Sequence, residues 1–280
     1  MIRMPVEIDI LHVIDAALRE DIGDGDITSN AIFTGSELST ARVVAKEDGV
    51  FCGGEVVRIV YRRVSPEVRV AVLKNDGEVI ARGETALMLS GPSAALLTGE
   101  RTALNFAQRM SGIATATRAA VALVAGTSIR ILDTRKTAPG LRLLDKYAVA
   151  SGGGTNHRMG LFDMVMIKDN HIRAAGGIAG AVRRAREAHG TRYGIEVEVT
   201  TEAEAREAAE SGADIIMLDN MDRERMREAI GIIAGRAKIE VSGNMDEARV
   251  REVADLAIDF ISIGALTHSV RAFDLSMRFE

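Results

Sequence analysis

Apolar and polar positions alternate along this chain in three successive rhythms. Over Asp9–Glu20 the apolar residues Ile10, Leu11, Val13, Ile14, Ala17 and Leu18 recur at helical spacing and share one face, with Gly23 beyond as a stop. From about Glu37 to Ser90 the period shortens to that of strands. Arg42–Lys46 and Val68–Leu73 read as strands, Asn75-Asp76-Gly77 as a turn, and Glu78–Arg82 and Thr85–Leu89 as further strands. One helix, near Gly54–Arg63, interrupts them, so this stretch predicts a small α+β layer domain. Ser93 to about Val124 reads as helical, with a break near Gly112.

The third rhythm is a short apolar strand, a polar tip and a helical stretch, repeated. Its strands are Ile129–Asp133, Met164–Ile167, Ile195–Val199, Ile215–Leu218, Lys238–Val241 and Phe260–Ile263. Ala174–His189, Glu202–Ser211 and Met245–Asp255 read as helices between them. Strands alternating with helices predict parallel βαβ units, and nearly continuous apolar strands predict burial on both faces. Polar residues gather at the strands' carboxyl ends: Arg135-Lys136, Lys168-Asp169, Glu198, Asp219, Ser242-Gly243-Asn244 and Gly264-Ala265-Leu266-Thr267. Both β/α barrels and doubly wound sheets bind ligands on that face. The absence of G-x-G-x-x-G and G-x-x-x-x-G-K-[ST] tilts the choice toward the barrel.

Composition changes this picture little. A chain of 280 residues with 47% hydrophobic and 27% charged residues is globular in type, with room for one large or two moderate domains. Net charge of −5 gives no general attraction to nucleic acid or an anionic membrane. Cys52 is the sole cysteine, which excludes an intrachain disulfide and points to a reducing compartment. MIRMPVEIDI lacks the order of a signal peptide, and no apolar run approaches the roughly 20 residues of a membrane span. The expectation is a cytoplasmic protein.

Charge distribution is more informative. Ile131–His171 holds six Lys/Arg against four Asp, a net of +2 that leaves −7 for the rest of the chain. A local cationic excess in an acidic protein predicts a pocket for an anionic small molecule. Arg142, Asp145 and Lys146 read as solvated helix charge, whereas Arg135, Lys136, Arg158 and Lys168 sit at strand ends or after a glycine run. Adjacent Arg135 and Lys136 leave a strand end on opposite sides and can serve two ligands or two parts of one. A guanidinium grips a planar carboxylate through two parallel hydrogen bonds, while lysine is a point charge suited to phosphate. Gly152-Gly153-Gly154 frees the backbone to approach a ligand and delivers His157 and Arg158.

Glu196 and Glu198 lie two apart on one strand and point the same way, Glu198 nearer the open mouth. Buried charge requires a partner, so Lys168 or a metal ion is expected beside them. Glu198 and Asp219 are suited to Mg²⁺ or ribose hydroxyls, and Glu196 and Glu240 lie deeper in supporting roles. The tips 242–244 and 264–267, after the last two strands, are where barrels often bind phosphate. His12 and His189 read as surface residues, His171 as a cap, and His268 has no evident role. The spacing of His157 to the other His and Cys residues fits no zinc motif.

DTRKTAPGLR (133–142), GGGTNHRMGL (152–161) and IKDNHI (167–172) closely resemble the quinolinate phosphoribosyltransferase family. ALREDIGDGDIT (17–28), ERTALN (100–105), EVEVT (196–200), MLDN (217–220) and GALTHSVRAFD (264–274) extend the resemblance in order through nearly the whole chain. It implies an α/β fold, an incomplete β/α barrel (108–269) with an N-terminal α/β sandwich domain (1–107) on which the tail 270–280 packs. It also implies transfer of phosphoribose from phosphoribosyl pyrophosphate to quinolinate, with Mg²⁺, giving nicotinate mononucleotide, pyrophosphate and CO₂ in NAD biosynthesis. By the same resemblance Arg135, His157, Arg158 and Lys168 face quinolinate, and Arg101 enters the site from the other subunit of a homodimer or larger homo-oligomer. Lys136, Glu198 and Asp219 meet phosphoribosyl pyrophosphate and its metal, and catalysis falls to these three with Lys168. Thr134, Ser242, Gly243, Asn244, Ile263, Gly264 and Ala265 complete the binding set, the last loops taking the 5′-phosphate. Asn244 departs from the Ser-Gly-Gly of many members, and asparagine tolerates positive φ well enough to keep such a turn.

Three other readings compete. A paralogue of the same fold associated with molybdate transport is disfavoured by the intact Lys168-Asp169-Asn170-His171. A Schiff-base aldolase using Lys168 leaves the arginines without purpose. A non-catalytic sensor of an anionic metabolite predicts binding without turnover.

Overall fold

The computed structural model describes residues 7–280. The reading of MIRMPVEIDI as lacking a signal peptide falls partly on residues 1–6, which lie outside the described residues. In chain order the first elements are α1 (Glu7–Ile22), α2 (Ile27–Ile32), β1 (Leu38–Ala45), β2 (Gly49–Val50), α3 (Gly54–Val64), β3 (Arg69–Val72), β4 (Val79–Ile80), β5 (Thr85–Pro92) and α4 (Ser93–Leu123). Then come β6 (Arg130–Leu132), α5 (Arg142–Ser151), β7 (Val165–Ile167), α6 (Asp169–Ala175), α7 (Ile178–His189), β8 (Ile195–Val199) and α8 (Glu202–Glu210). The last are β9 (Ile215–Asp219), α9 (Arg223–Ile233), β10 (Lys238–Ser242), α10 (Glu247–Val253), β11 (Phe260–Ser262), α11 (Ala265–His268) and β12 (Leu275–Phe279). No helix among the described residues is long and apolar enough to cross a membrane.

The elements form two compact units that do not follow a single cut of the chain. The first comprises residues up to Arg118, Thr137–Gly153 and Leu266–Glu280; the second comprises Ala119–Lys136 and Gly154–Ala265.

In the first unit, β12, β1, β5 and β3 make an antiparallel sheet in that order, the C-terminal strand pairing with β1 from Ala41↔Phe279 to Ala45↔Leu275. Ile10, Ile14 and Leu18, one helical turn apart, bury the inner face of α1, and Gly23 ends that helix at φ 54. Helix α4 runs unbroken through Gly112, against the break expected there. The glycine is needed for space, because a Cβ at Gly112 would lie 2.2 Å from the Arg271 carbonyl oxygen. Gly112→Ala is therefore expected to destabilise the protein by about 1–3 kcal/mol, the usual range for overpacking, read as a lower urea midpoint at unchanged slope.

Helix α5 corrects a second expectation. Asp145 and Lys146 are buried, not solvated. Arg109 donates to both Asp145 carboxylate oxygens at 2.8 Å, and the Ala138 N–H adds a third bond at 3.2 Å. A bidentate arginine is the partner that makes a buried carboxylate tolerable. The glycine triplet also differs from its expected role of ligand approach. At Gly152 a Cβ would come within 2.5 Å of the Ala114 carbonyl oxygen, and Gly153 has φ 96, so these two glycines serve helix packing and a left-handed turn. The segment 137–153 thus belongs to the first unit, and 131–171 is not one continuous pocket wall.

The second unit holds six parallel strands in the order β6-β11-β10-β9-β8-β7. Strands β7 to β11 are each beside their neighbour in sequence, and the first strand, β6, lies beside the last. That order is a barrel's, with no ladder between β6 and β7. An isolated parallel bridge, Leu132↔Thr155, occupies the other edge of β6. Carboxylates from β8 and β10 approach within 4.8 Å across the intervening strand, as inward side chains from alternate barrel strands do. The single helix read over Ala174–His189 is two, α6 and α7, because Gly176 and Gly177 take φ 77 and 126 between them.

Candidate active site

The carboxyl ends of the second unit's strands carry most of the residues singled out by sequence. Beyond β6, Asp133 is buried and ties down the next turn, accepting hydrogen bonds from the Asn156 side chain at 2.6 Å and the His157 N–H at 2.8 Å. Sequence reasoning missed this role, although Asp133 opens the motif that carries Arg135. Thr134 Oγ1 accepts from the Lys136 N–H at 3.0 Å, Arg135 is half-buried and Lys136 is exposed. The two adjacent cations therefore face different surroundings.

Arg158 lies near Arg135. Burial, then the Arg135 charge, lower the Arg158 guanidinium from its ordinary value, against weaker support from Glu196 and Asp163. Two guanidinium groups in one half-buried place favour an anion beside them. Arg158 also donates to the Met164 carbonyl at 3.3 Å, and Asp163 fixes the loop between by accepting from the N–H groups of Met159 (2.6 Å) and Gly160 (2.9 Å).

At the end of β7, Lys168 Nζ is 2.6 Å from Glu198 Oε2, the partner expected for a carboxylate facing the barrel mouth. The Lys168 N–H donates to His171 Nδ1 at 3.1 Å, so His171 caps the start of α6. Asp219, half-buried at the end of β9, accepts from the Asn220 side chain at 2.7 Å. The next tip is a tight turn. Gly243 has φ 101 and Asn244 φ 46, and a Cβ on Gly243 would lie 2.3 Å from Asn220 Oδ1. Asn244 thus holds the left-handed conformation that its residue type allows. Ser242 and Gly264 are half-buried, Ile263 is buried and Ala265 is exposed, all in the same unit. Arg101 is exposed on α4 in the first unit.

His157 departs most from expectation. Its Nδ1 accepts from the Arg158 N–H at 2.7 Å, and its Nε2 lies 3.1 Å from Glu196 Oε2 and 3.6 Å from Glu240 Oε2. Both ring nitrogens are thus turned on protein groups, where the ring had been expected to face a ligand. Glu196 and Glu240 are fully buried, with the His157 ring and Ser262 as polar neighbours. The three ligating atoms of this cluster lie within 4.8 Å of one another. No spacing rule could find it, since its members come from three separate elements.

As for chemistry, clustered guanidinium groups, a lysine–glutamate pair and a second carboxylate above a strand's end suit binding of dense negative charge.

Residues 26–111 match the model of the quinolinate phosphoribosyl transferase N-terminal domain, and residues 113–278 match that of its C-terminal domain. A probable nicotinate-nucleotide pyrophosphorylase (carboxylating) of Bacillus subtilis is 46% identical over 258 residues, covering 92% of this chain and 89% of the relative. Among solved structures, NadC of Streptococcus pyogenes superposes with a TM-score of 0.94 at 44% identity, covering 98% of this chain and 96% of that one. The nicotinate-nucleotide pyrophosphorylase of Francisella tularensis gives the same TM-score at 38% identity, covering 100% and 99%.

Proposed function

We infer, from the premise that the chain belongs to the quinolinate phosphoribosyl transferase family, that it transfers phosphoribose from phosphoribosyl pyrophosphate to quinolinate with loss of CO₂. The product is nicotinate mononucleotide, a precursor of NAD. The observation that carries the reading is the match of the chain to both domain models of that family, with Arg135 and Arg158 in one neighbourhood to meet a ring bearing two carboxylates. Quinolinate is a dianion at neutral pH and phosphoribosyl pyrophosphate is more negative still. Fixed cations lower the cost of bringing them together.

In this reading Arg135 and Arg158 hold the ring carboxylates and orient the pyridine nitrogen toward ribose C1. The nitrogen's lone pair forms the new C–N bond as the C1–O bond to pyrophosphate breaks. Glu198, steadied by Lys168, and Asp219 stabilise the positive charge that develops on the ribose, and Lys136 serves the departing phosphates. The N-ribosyl pyridinium formed then loses its 2-carboxylate as CO₂; the ring nitrogen's charge stabilises the electron pair left at that carbon, which takes up a solvent proton.

Mg²⁺ is the proposed cofactor, and when bound it neutralises pyrophosphate charge. Glu198 is already engaged by Lys168, so Asp219 is the better-fitted oxygen ligand of the two. Ser242, Gly243, Asn244, Ile263, Gly264 and Ala265 are assigned to the 5′-phosphate, and Thr134 to support of Lys136. The proposal extends to a homodimer, with Arg101 reaching the partner's site, and to the cytoplasm, where the buried thiol of Cys52 stays reduced.

Purified protein with quinolinate, phosphoribosyl pyrophosphate and Mg²⁺ should release pyrophosphate and CO₂ in equal amounts. Binding of quinolinate without release of either product would favour a sensor instead.

A further inference from the structure

The barrel interior below the arginines contains a group that phosphoribosyl transfer does not use directly. Glu196 on β8 and Glu240 on β10 present two fully buried carboxylates to the Nε2 of His157, at 3.1 and 3.6 Å. Glu196 takes the closer contact with the ring, and Ser262 hydrogen-bonds Glu240. Two buried carboxylates require a polar partner, and the His157 ring is the one that both approach.

The backbone defines what that contact does. The Arg158 N–H donates to His157 Nδ1, which leaves the ring's proton on Nε2, aimed at the two acids. The ring therefore joins a buried anionic base to the main chain of Arg158. On the other side, Asp133 holds the His157 N–H. We propose that Glu196 and Glu240 are positioning residues, which fix the tautomer and orientation of His157 and, through it, the main chain that aims Arg158 at the ring carboxylate of the substrate. The inference rests on the function proposed above and deepens it.

Burial, followed by the Glu196 charge, raises Glu240 to about 8, against the lowering effects of His157, Ser262 and Lys168. These are the groups that face Glu240: Glu196 from β8, Ser262 from β11, Lys168 from the end of β7 and His157 from the loop beyond β6. A carboxyl group whose value rises on folding favours the folded state below its ordinary range. That contribution is lost as pH climbs from about 4.5 to about 8.

Steady-state kinetics and histidine ¹⁵N spectra on the full-length protein test this. Glu240→Ala is expected to raise KM for quinolinate at least tenfold while KM for phosphoribosyl pyrophosphate changes far less (about 1.4 kcal/mol of lost ring binding). Glu240→Gln, which keeps the shape and polarity of the side chain, should recover most of that loss. In the parent protein the His157 signals should report a neutral ring with its proton on Nε2, and Glu196→Gln should shift them. This last readout needs no turnover, so a protein inactive on quinolinate would fail the functional reading without deciding the tautomer. The positioning role is overturned if Glu240→Ala folds normally and leaves quinolinate KM and the His157 signals as they were. Bound zinc in stoichiometric amount in the purified protein would overturn it equally, by making the cluster a metal site.

Discussion

Arg158→Ala is expected to raise KM for quinolinate by a hundredfold or more, while KM for phosphoribosyl pyrophosphate stays within a few-fold of the parent. Removing one member of a buried charge pair formed with a ligand costs about 2–5 kcal/mol, and each 1.4 kcal/mol is a factor of ten. The same substitution should not lower the melting temperature. Burial and the neighbouring Arg135 both disfavour the Arg158 charge in the ligand-free protein, so its removal relieves a repulsion. Binding sites commonly hold such unfavourable arrangements at the expense of stability. Arg158→Lys should recover little, because a point charge cannot reproduce two parallel hydrogen bonds to one carboxylate. A quinolinate KM close to the parent's in Arg158→Ala would remove this residue from the ring pocket.

The barrel was legible in the sequence because its strands are short, apolar and capped by polar tips. The predicted ranges agree with β8, and with β9 and β10 to within one residue. Register and apolar pattern are local properties, and they survive folding. The supporting cluster was less legible. Glu196 and Glu240 were expected to lie deep, but their meeting with His157 depends on the inward convergence of β8 and β10, which no spacing along the chain encodes. Asp145 and Lys146 were misread for a related reason. On a helix with alternating charges, burial is decided by whether a distant residue such as Arg109 arrives to pair with the acid. Gly112 looked like a break and Gly152 like a point of ligand approach, when each is a point where another segment's backbone comes too close for any side chain. Gly176 and Gly177 did break a helix, and the positive φ of both is the local cause.

Arg101→Ala should lower turnover by about a thousandfold or more with the fold intact, if the guanidinium acts on substrate as a buried ligand contact does. Arg101 is exposed on α4, whereas Lys136 lies in the second unit, so the two can be separated genetically. Lys136→Ala should be comparably inactive, because the leaving pyrophosphate loses its fixed cation. The informative experiment combines them. If each site of a two-fold symmetric dimer draws Lys136 from one subunit and Arg101 from the other, a mixed dimer contains one doubly defective site and one intact site. Half the dimers in an equal mixture are mixed, and the predicted recovery is about a quarter of parental activity. If Arg101 instead served its own chain's site, every site in the mixture would carry one lesion and nothing would return. Subunit exchange has to be established independently, by mass difference between labelled partners. With exchange confirmed, recovery near a quarter assigns the arginine to the partner's site, and its absence confines Arg101 to its own subunit.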